Sequence, residues 1–432
     1  MPDRLTTPQW TPGPRELDDL DLLVNDSFEP SLAGFVDPRT AGDAAPITLV
    51  VDDQTADLAT GAGFLELIDP EGAPLALLTV EAHYRTEDGR VGLAGPVRRL
   101  AHNEFGAFRS LHVAPQVLHK ESDPATLLAV PVRRPPTTND LAAIRQAASD
   151  DDLTPLLLAC VGDRMPDRIS GPALVRSCLA AAELLDDAQV VAVSTPDHGD
   201  EGRHGDWESP NDWLLASVSA AYADTALLLP RHDEGEWPES IAGILDVARP
   251  PRDRQGAVLF FTGLSGSGKS TLARALVDHI LEEGERTITS LDGDVVRHHL
   301  SKGLGFSRED RETNIRRIGF VASEIARHGG LAICSPIAPF DSTRQAVRAM
   351  VERAGGGFVL IHVATPLEEC ERRDRKGLYA KARRGEIADF TGISSPYEEP
   401  IDAYKIDTTN RDIAECLEEL LAYLVAEGWL HH

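Results

Sequence analysis

Apolar residues along this chain are grouped in short runs whose spacing changes from one third of the sequence to the next. Residues 16–23, Glu-Leu-Asp-Asp-Leu-Asp-Leu-Leu, carry leucines on one face and carboxylates on the other, the pattern of a short amphipathic helix. Residues 47–51, 64–68 and 75–80 are apolar and β-branched, and Asp69-Pro70-Glu71-Gly72 is a turn between the last two. These runs predict a small, mostly β domain ending near Gln116. Residues 127–132, 156–161 and 190–194 then read as buried strands, with a helix over 174–185, an alternation that predicts a Rossmann-like α/β domain. From Trp237 to Gln255, Pro238, Pro250, Pro251 and mixed charges predict a linker. Beyond it, 257–261, 287–291, 331–334 and 359–363 are strand-like, and Leu272, Ala275, Leu276 and Ile280 share one helical face that Gly284 ends. The expectation is an α/β chain: a β-rich domain over 1–118, a Rossmann-like domain over 119–240, a linker over 241–255, and a parallel-sheet P-loop domain over 256–432.

The stretch between the 257–261 strand and the following helix changes this outline into chemistry. Gly263-Leu264-Ser265-Gly266-Ser267-Gly268-Lys269-Ser270 fits the loop that wraps nucleoside triphosphate phosphates. Glycines let successive backbone N–H groups converge on one anion, and the helix behind them points its positive end at the same place. Gly263, Ser265, Gly266, Ser267, Gly268 and Thr271 are the expected cradle, with Lys269 reaching the β- and γ-phosphates and Ser270 ligating Mg²⁺. A glycine-rich surface turn is the alternative, and the flanking strand and helix count against it.

Charge and cysteine usage narrow the partners. A net charge of −28 over 432 residues argues against nucleic acid or an anionic membrane. Five widely spaced cysteines without a CxxC suit a reducing cytoplasm and no structural zinc. No signal-peptide pattern opens the chain, and no apolar run approaches the roughly 20 residues that span a bilayer. Asp197, His198, Asp200, Glu201, His204 and Asp206 crowd a glycine-punctuated stretch, but their spacing fits no standard zinc pattern, so a solvated acidic loop is expected.

Downstream of the phosphate loop, Asp292 and Asp294 follow a strand, where carboxylates face the ligand crevice of an open α/β sheet. Such acids hold Mg²⁺ through water or take a proton from an attacking hydroxyl; a solvated turn is the alternative. Arg297, Arg308, Arg311, Arg316 and Arg317 come next, with Phe306 and Asn314 among them. So many guanidinium forks in an acidic protein suggest a second anionic substrate, although some must pair with Glu309, Asp310 and Glu312. The polar stretch from Cys370 to Phe390 suits a lid that excludes water.

Several ordered motifs together resemble adenylyl-sulfate (APS) kinases over nearly all of 256–430. They are the Gly263 to Ser270 loop, Leu291-Asp292-Gly293-Asp294, Leu304-Gly305-Phe306-Ser307, Asp310-Arg311-Glu312-Thr313-Asn314-Ile315-Arg316-Arg317, Lys376-Gly377-Leu378-Tyr379 and Phe390-Thr391-Gly392-Ile393. The resemblance implies transfer of the ATP γ-phosphoryl group to the 3′-hydroxyl of APS, with Mg²⁺, giving 3′-phosphoadenylyl sulfate (PAPS) and ADP. It implies Asp294 as the base or hydroxyl-orienting group, Asp292 supporting the metal, and Lys376 neutralising charge on the transferring group. Arg297, Arg311 and Asn314 would bind APS, and Phe306 and Phe390 would stack on its adenine. A homodimer is likewise implied. Where family members often carry a serine proposed to be phosphorylated, this chain has Ala338 before Pro339, so direct in-line transfer is expected.

The N-terminal third resembles the PUA-like domain of ATP sulfurylases through Leu17-Asp18-Asp19-Leu20, the loop from Phe28-Glu29-Pro30 to Gly34-Phe35, Pro46-Ile47-Thr48-Leu49 and Gly95-Pro96-Val97. The following α/β stretch occupies the place of the sulfurylase catalytic domain, yet the family's Gln-x-Arg-Asn-Pro-x-His-x-x-His reads Pro131-Val132-Arg133-Arg134-Pro135-Pro136-Thr137-Thr138-Asn139-Asp140. Both histidines, expected to stabilise the triphosphate, are replaced by Thr137 and Asp140. A later Gly-Arg-Asp-His-Ala-Gly is reduced to Pro230-Arg231-His232-Asp233-Glu234-Gly235. The expectation is a truncated sulfurylase-derived region that has lost catalysis and serves assembly, regulation or capture of APS from a true sulfurylase. A bifunctional PAPS synthase and a non-enzymatic sensor of APS or PAPS are the alternatives.

Overall fold

The apolar runs of the first third pair into a seven-stranded sheet. Its strands are β1 (Gln9–Trp10), β2 (Gly34–Phe35), β3 (Leu49–Val51), β4 (Phe64–Ile68), β5 (Pro74–Thr79), β6 (Ala82–Arg85) and β7 (Val91–Arg99). The order is β1-β4-β5-β7-β2, with β3 and β6 also pairing with β7. β7 serves so many partners by dividing its length, residues 91–94 pairing with β3 and β6, 95–96 with β2 and 97–99 with β5, and Gly95 at the changeover has φ of 148° with room for no Cβ, which would lie 2.0 Å from the Thr79 carbonyl oxygen. Helices α1 (Pro14–Val24) and α2 (Asp53–Ala62) flank this sheet. α1 is the expected amphipathic helix; α2 was not anticipated, and Asp52 caps it by accepting from the Thr55 N–H at 2.7 Å.

This computed structural model describes residues 7–44, 46–101, 106–163, 169–199, 204–284, 286–305, 307–387 and 389–431. The chain divides into two units, Met1–Ala248 and Arg249–His432.

Within the first unit, β8 (Leu127–Val132), β9 (Thr154–Val161), β10 (Gln189–Ser194) and β11 (Thr225–Ala226) form a parallel sheet in the order β10-β9-β8-β11. Helices α3 (Pro115–Leu118), α4 (Thr138–Asp151), α5 (Gly171–Ala182), α6 (Pro210–Tyr222) and α7 (Glu239–Ala248) connect and cover it. All six residues of β8 are buried, as a parallel strand covered on both faces requires.

Two expected boundaries change. Leu22, Leu49, Leu67 and Leu93 share one core with Leu127, Leu156, Leu158 and Trp213, so the region 1–118 packs into a core with one face of the following parallel sheet rather than closing on its own. The stretch 241–255 is not all linker, because α7 buries Ile241 and Leu245 in the second core beside Ile144, Leu157 and Leu174. Its apolar residues recur at helical spacing, a signal hidden by the surrounding prolines.

The second unit is a five-stranded parallel sheet of β12 (Ala257–Thr262), β13 (Ile288–Leu291), β14 (Leu331–Cys334), β15 (Gly357–Val363) and β16 (Tyr404–Ile406), ordered β13-β14-β12-β15-β16. Helices α8 (Lys269–Glu283), α9 (Gly293–His299), α10 (Arg308–Arg327), α11 (Asp341–Arg353), α12 (Leu367–Arg373), α13 (Leu378–Arg383) and α14 (Ile413–Ala426) complete it. One core joins Leu272, Leu276 and Ile280 of α8 to Leu420 and Leu424 of α14. The other joins Ile315, Ile318 and Ala322 of α10 to Val347 and Val351 of α11. With β12 central, its C-terminal end opens into the crevice where an open α/β sheet binds ligands.

Candidate active site

At that end the chain turns through Gly263, Gly266 and Gly268, whose φ angles of 145°, 76° and 102° are open to glycine at little cost. N–H groups can converge on one anion only if the alternate carbonyls turn outward, and buried carbonyls need donors. Those donors are found. The Leu264 carbonyl accepts from Lys269 Nζ at 2.6 Å and the Ser265 carbonyl from Tyr379 Oη at 2.8 Å. The Ser267 carbonyl accepts from the hydroxyls of Thr365 and Thr408, each at 2.9 Å. Arg373 donates in turn to Thr408 Oγ1 at 2.8 Å. Inside the loop, Ser267 Oγ is buried without a hydrogen-bond partner, and Ser270 and Thr271 stand exposed on the first turn of α8.

Lys269 is itself buried, and loss of solvent pulls its amine down to about 8, opposed by the nearby Cys370 and Asp292 and reinforced by Lys376. Lys269, Asp292 and Lys376 therefore share one electrostatic environment. Asp292 follows β13 and accepts from Ser335 Oγ at 3.2 Å. Asp294 is the second residue of α9, with its side chain outside the described residues, as is all of Phe306.

Of the expected acceptor residues that are described, Arg297 sits on α9, Arg311 and Asn314 on α10, and Phe390 on the loop after α13. Arg311 donates to Thr391 Oγ1 at 2.9 Å and to Ser395 Oγ at 3.1 Å, next to Phe390 in sequence. Its guanidinium also lies 5.5 Å from the centre of the Phe340 ring. Asn314 is buried with no partner for Oδ1. Arg297 donates to the Gly305 carbonyl at 3.0 Å, and Phe390 meets the Tyr379 ring edge-on. Ala338 is 1% exposed with φ of 45°, and its carbonyl accepts from Arg344 at 2.9 Å. Arg344, fully buried, was not anticipated; nor were Thr365 and Thr408, which lie 98 and 141 residues along the chain from the Ser267 carbonyl they bond, nor Arg373, 35 residues from Thr408, and none carries a local motif.

In the first unit, the positions aligned with the sulfurylase motifs are bonded to one another. Thr137 caps α4, and Asp140 accepts from the Thr137 N–H at 2.8 Å. Arg134 clasps both Asp140 oxygens at 2.6 and 3.0 Å and donates to the Pro230 carbonyl. Asp233 accepts from the Thr137 hydroxyl and from Asn139 Nδ2, the latter at 3.1 Å, while Arg231 pairs with Asp212 at 2.6 Å. Arg133 approaches Asp197 at 3.8 Å. In the acidic stretch, His198 bonds the buried Asp19 at 2.8 Å, His204 the Asp43 carbonyl at 2.6 Å, and Asp197 accepts from Asn211 at 2.8 Å. Asp200 and Glu201 lie outside the described residues.

The adenylylsulphate kinase family model matches residues 255–406. A hexameric APS kinase from Thiobacillus denitrificans is 30% identical, with a TM-score of 0.76 over 99% of this chain and 94% of that one. Sulfate adenylyltransferases of Neosartorya fischeri and Aspergillus fumigatus are each 50% identical over 198 residues, 45% of this chain and 34% of theirs. The chain thus spans about a third of the length of these curated relatives.

Proposed function

The chain belongs to the adenylylsulphate kinase family and carries an ATP-dependent phosphotransferase domain, and on that premise we propose that it moves the γ-phosphoryl group of ATP to the 3′-hydroxyl of APS, releasing PAPS and ADP. The observation that carries this reading is the phosphate loop, with its Ser265 and Ser267 carbonyls tied to fixed donors, in the same unit as an arginine and a buried asparagine on α10 whose Nε and Oδ1 have no partner. Lys269 and the loop amides hold the ATP phosphates. Ser270 and Asp292, hydroxyl and carboxylate oxygens, are a donor set suited to Mg²⁺. The ion would offset charge on the phosphate oxygens. Asp294 orients the 3′-hydroxyl and takes its proton as the phosphorus–oxygen bond forms. Lys376 and Lys269 balance charge on the transferring group. Arg297, Arg311 and Asn314 hold the phosphosulfate and ribose, and Phe306 and Phe390 enclose the adenine. With Ala338 buried and without a hydroxyl, transfer is direct.

The sulfurylase-like half is read as non-catalytic. Two carboxylates, Asp140 and Asp233, stand where a triphosphate would need cations, and Arg134 and Arg231 are already paired to carboxylates. A homo-oligomer is the natural assembly, as in the hexameric relative. The first unit would then serve assembly or delivery of APS.

Coupled ADP release from the full chain, with ATP and Mg²⁺ and with or without APS, tests the kinase. Turnover that needs APS and vanishes in Asp294→Asn is expected. No dependence on APS would overturn the reading. Sulfate-dependent ATP–pyrophosphate exchange should be absent, and robust exchange would reinstate a bifunctional synthase.

A further inference from the structure

Of the side chains that donate to the phosphate-loop carbonyls, most come from elements anchored in the sheet. Lys269 opens α8, Thr365 follows β15 and Thr408 follows β16. Tyr379 is different. It belongs to α13, in the polar stretch between Lys376 and Phe390, and it is 3% exposed. Its hydroxyl donates to the Ser265 carbonyl at 2.8 Å. Its ring stands edge-on to Phe390, with centroids 5.0 Å apart and planes at 78°. The next residue, Thr391, accepts from Arg311. One side chain therefore touches the phosphate loop at one end and the acceptor pocket's aromatic wall at the other.

We propose that Tyr379 is a positioning residue that couples the two substrate sites: its ring follows Phe390, and its hydroxyl fixes the Ser265 carbonyl that shapes the phosphate loop. The inference rests on the reading of Phe390 and Arg311 as APS-binding residues. A base stacked on Phe390 restricts that ring, the edge contact restricts Tyr379, and the hydroxyl then holds Ser265 in the orientation the ATP phosphates require. Linkage makes the effect reciprocal, so ATP tightens APS by the same factor. Burial pushes the Tyr379 hydroxyl above the ordinary tyrosine range, so it remains a donor throughout neutral pH. The ring alone cannot do this, because phenylalanine keeps the edge contact and loses the donor.

The test is calorimetric titration of the full chain with APS, with and without a saturating non-hydrolysable ATP analogue and Mg²⁺, in wild type, Tyr379→Phe and Thr365→Val. In wild type the analogue should tighten APS by about 5-fold or more. In Tyr379→Phe that factor should fall below about 2-fold, with the unfolding midpoint close to that of wild type. Thr365→Val removes another donor to the loop, and the Thr365 hydroxyl bonds Ser267 and Thr408 rather than Phe390 or Arg311; it should weaken the analogue and keep the coupling. Coupling that survives in Tyr379→Phe, is absent from wild type, or is lost equally in Thr365→Val would overturn the proposal. If wild type does not bind APS at all, the reading of the acceptor site fails instead, and APS-dependent ADP release, measured in parallel, separates the two failures.

Discussion

At the scale of single residues, Lys269 makes the sharpest prediction. Its amine is held near 8 by burial. Only the ammonium form attracts phosphate, so kcat/KM for ATP should be flat below pH 8 and fall by up to about tenfold per pH unit above it. In Lys269→Arg, which stays charged, that basic limb should disappear even though the rate drops. A flat profile to pH 9.5 in wild type would remove Lys269 as the titrating group. Arg311 makes the second. It divides its two terminal nitrogens between Thr391 and Ser395, a forked contact that lysine cannot reproduce. Arg311→Lys should raise KM for APS by about tenfold or more, the worth of a charged hydrogen bond, and leave KM for ATP within about twofold. Equal effects on both substrates would place Arg311 in general folding support. The loop residues were legible from type and order because a phosphate cradle needs glycines in a fixed sequence. Thr365, Thr408 and Arg344 were not, because a carbonyl can take its donor from anywhere in space.

At the scale of elements, the fate of the sulfurylase motif is a helix start. Thr137 and Asp140 form a reciprocal cap on α4, and Arg134 closes over Asp140, which is 2% exposed. Thr137→Ala should destabilise the first unit by about 1 kcal/mol. Asp140→Ala should cost about 3 kcal/mol because it strands the guanidinium of a buried pair. Urea unfolding of the full chain measures both, and kinase turnover should hold within about twofold, since neither residue is on the second unit. Replacing Thr137 and Asp140 by histidine together should lower stability without producing ATP–pyrophosphate exchange, since Asp233 and the Arg134 contacts to Pro230 remain. Periodicity located α1, β4, β8 and β12 because each buries one clear stripe or run. It missed α2, α4 and α6, whose starts are set by side-chain caps at Asp52, Thr137 and Ser209 rather than by an apolar face alone.

At the scale of the whole molecule, the second unit has its own two cores and holds every residue assigned to phosphoryl transfer. Residues 249–432 expressed alone should fold cooperatively and retain APS-dependent ADP release within about tenfold of the full chain. An aggregated or inactive fragment would mean that the first unit completes the kinase. His431 pairs with Asp253 at 3.0 Å, joining the two ends of this segment, and Trp429 covers Gly357 of β15. Among the described residues no helix is long and apolar enough to cross a membrane.

Composition, periodicity and the ordered motifs by themselves determined the α/β class, the phosphate loop with its strand and helix, and the run of arginines along α10. Each is a local property: side-chain type, spacing and backbone freedom act within a few residues. Tertiary structure alone decided that 1–118 and 119–240 share a core, that 239–248 is a helix packed into the second core, and that Tyr379 joins the phosphate loop to Phe390. Burial and hydrogen-bond satisfaction are settled between segments 100 or more residues apart, as the 114-residue reach from Tyr379 to Ser265 illustrates, and no one-dimensional pattern carries them.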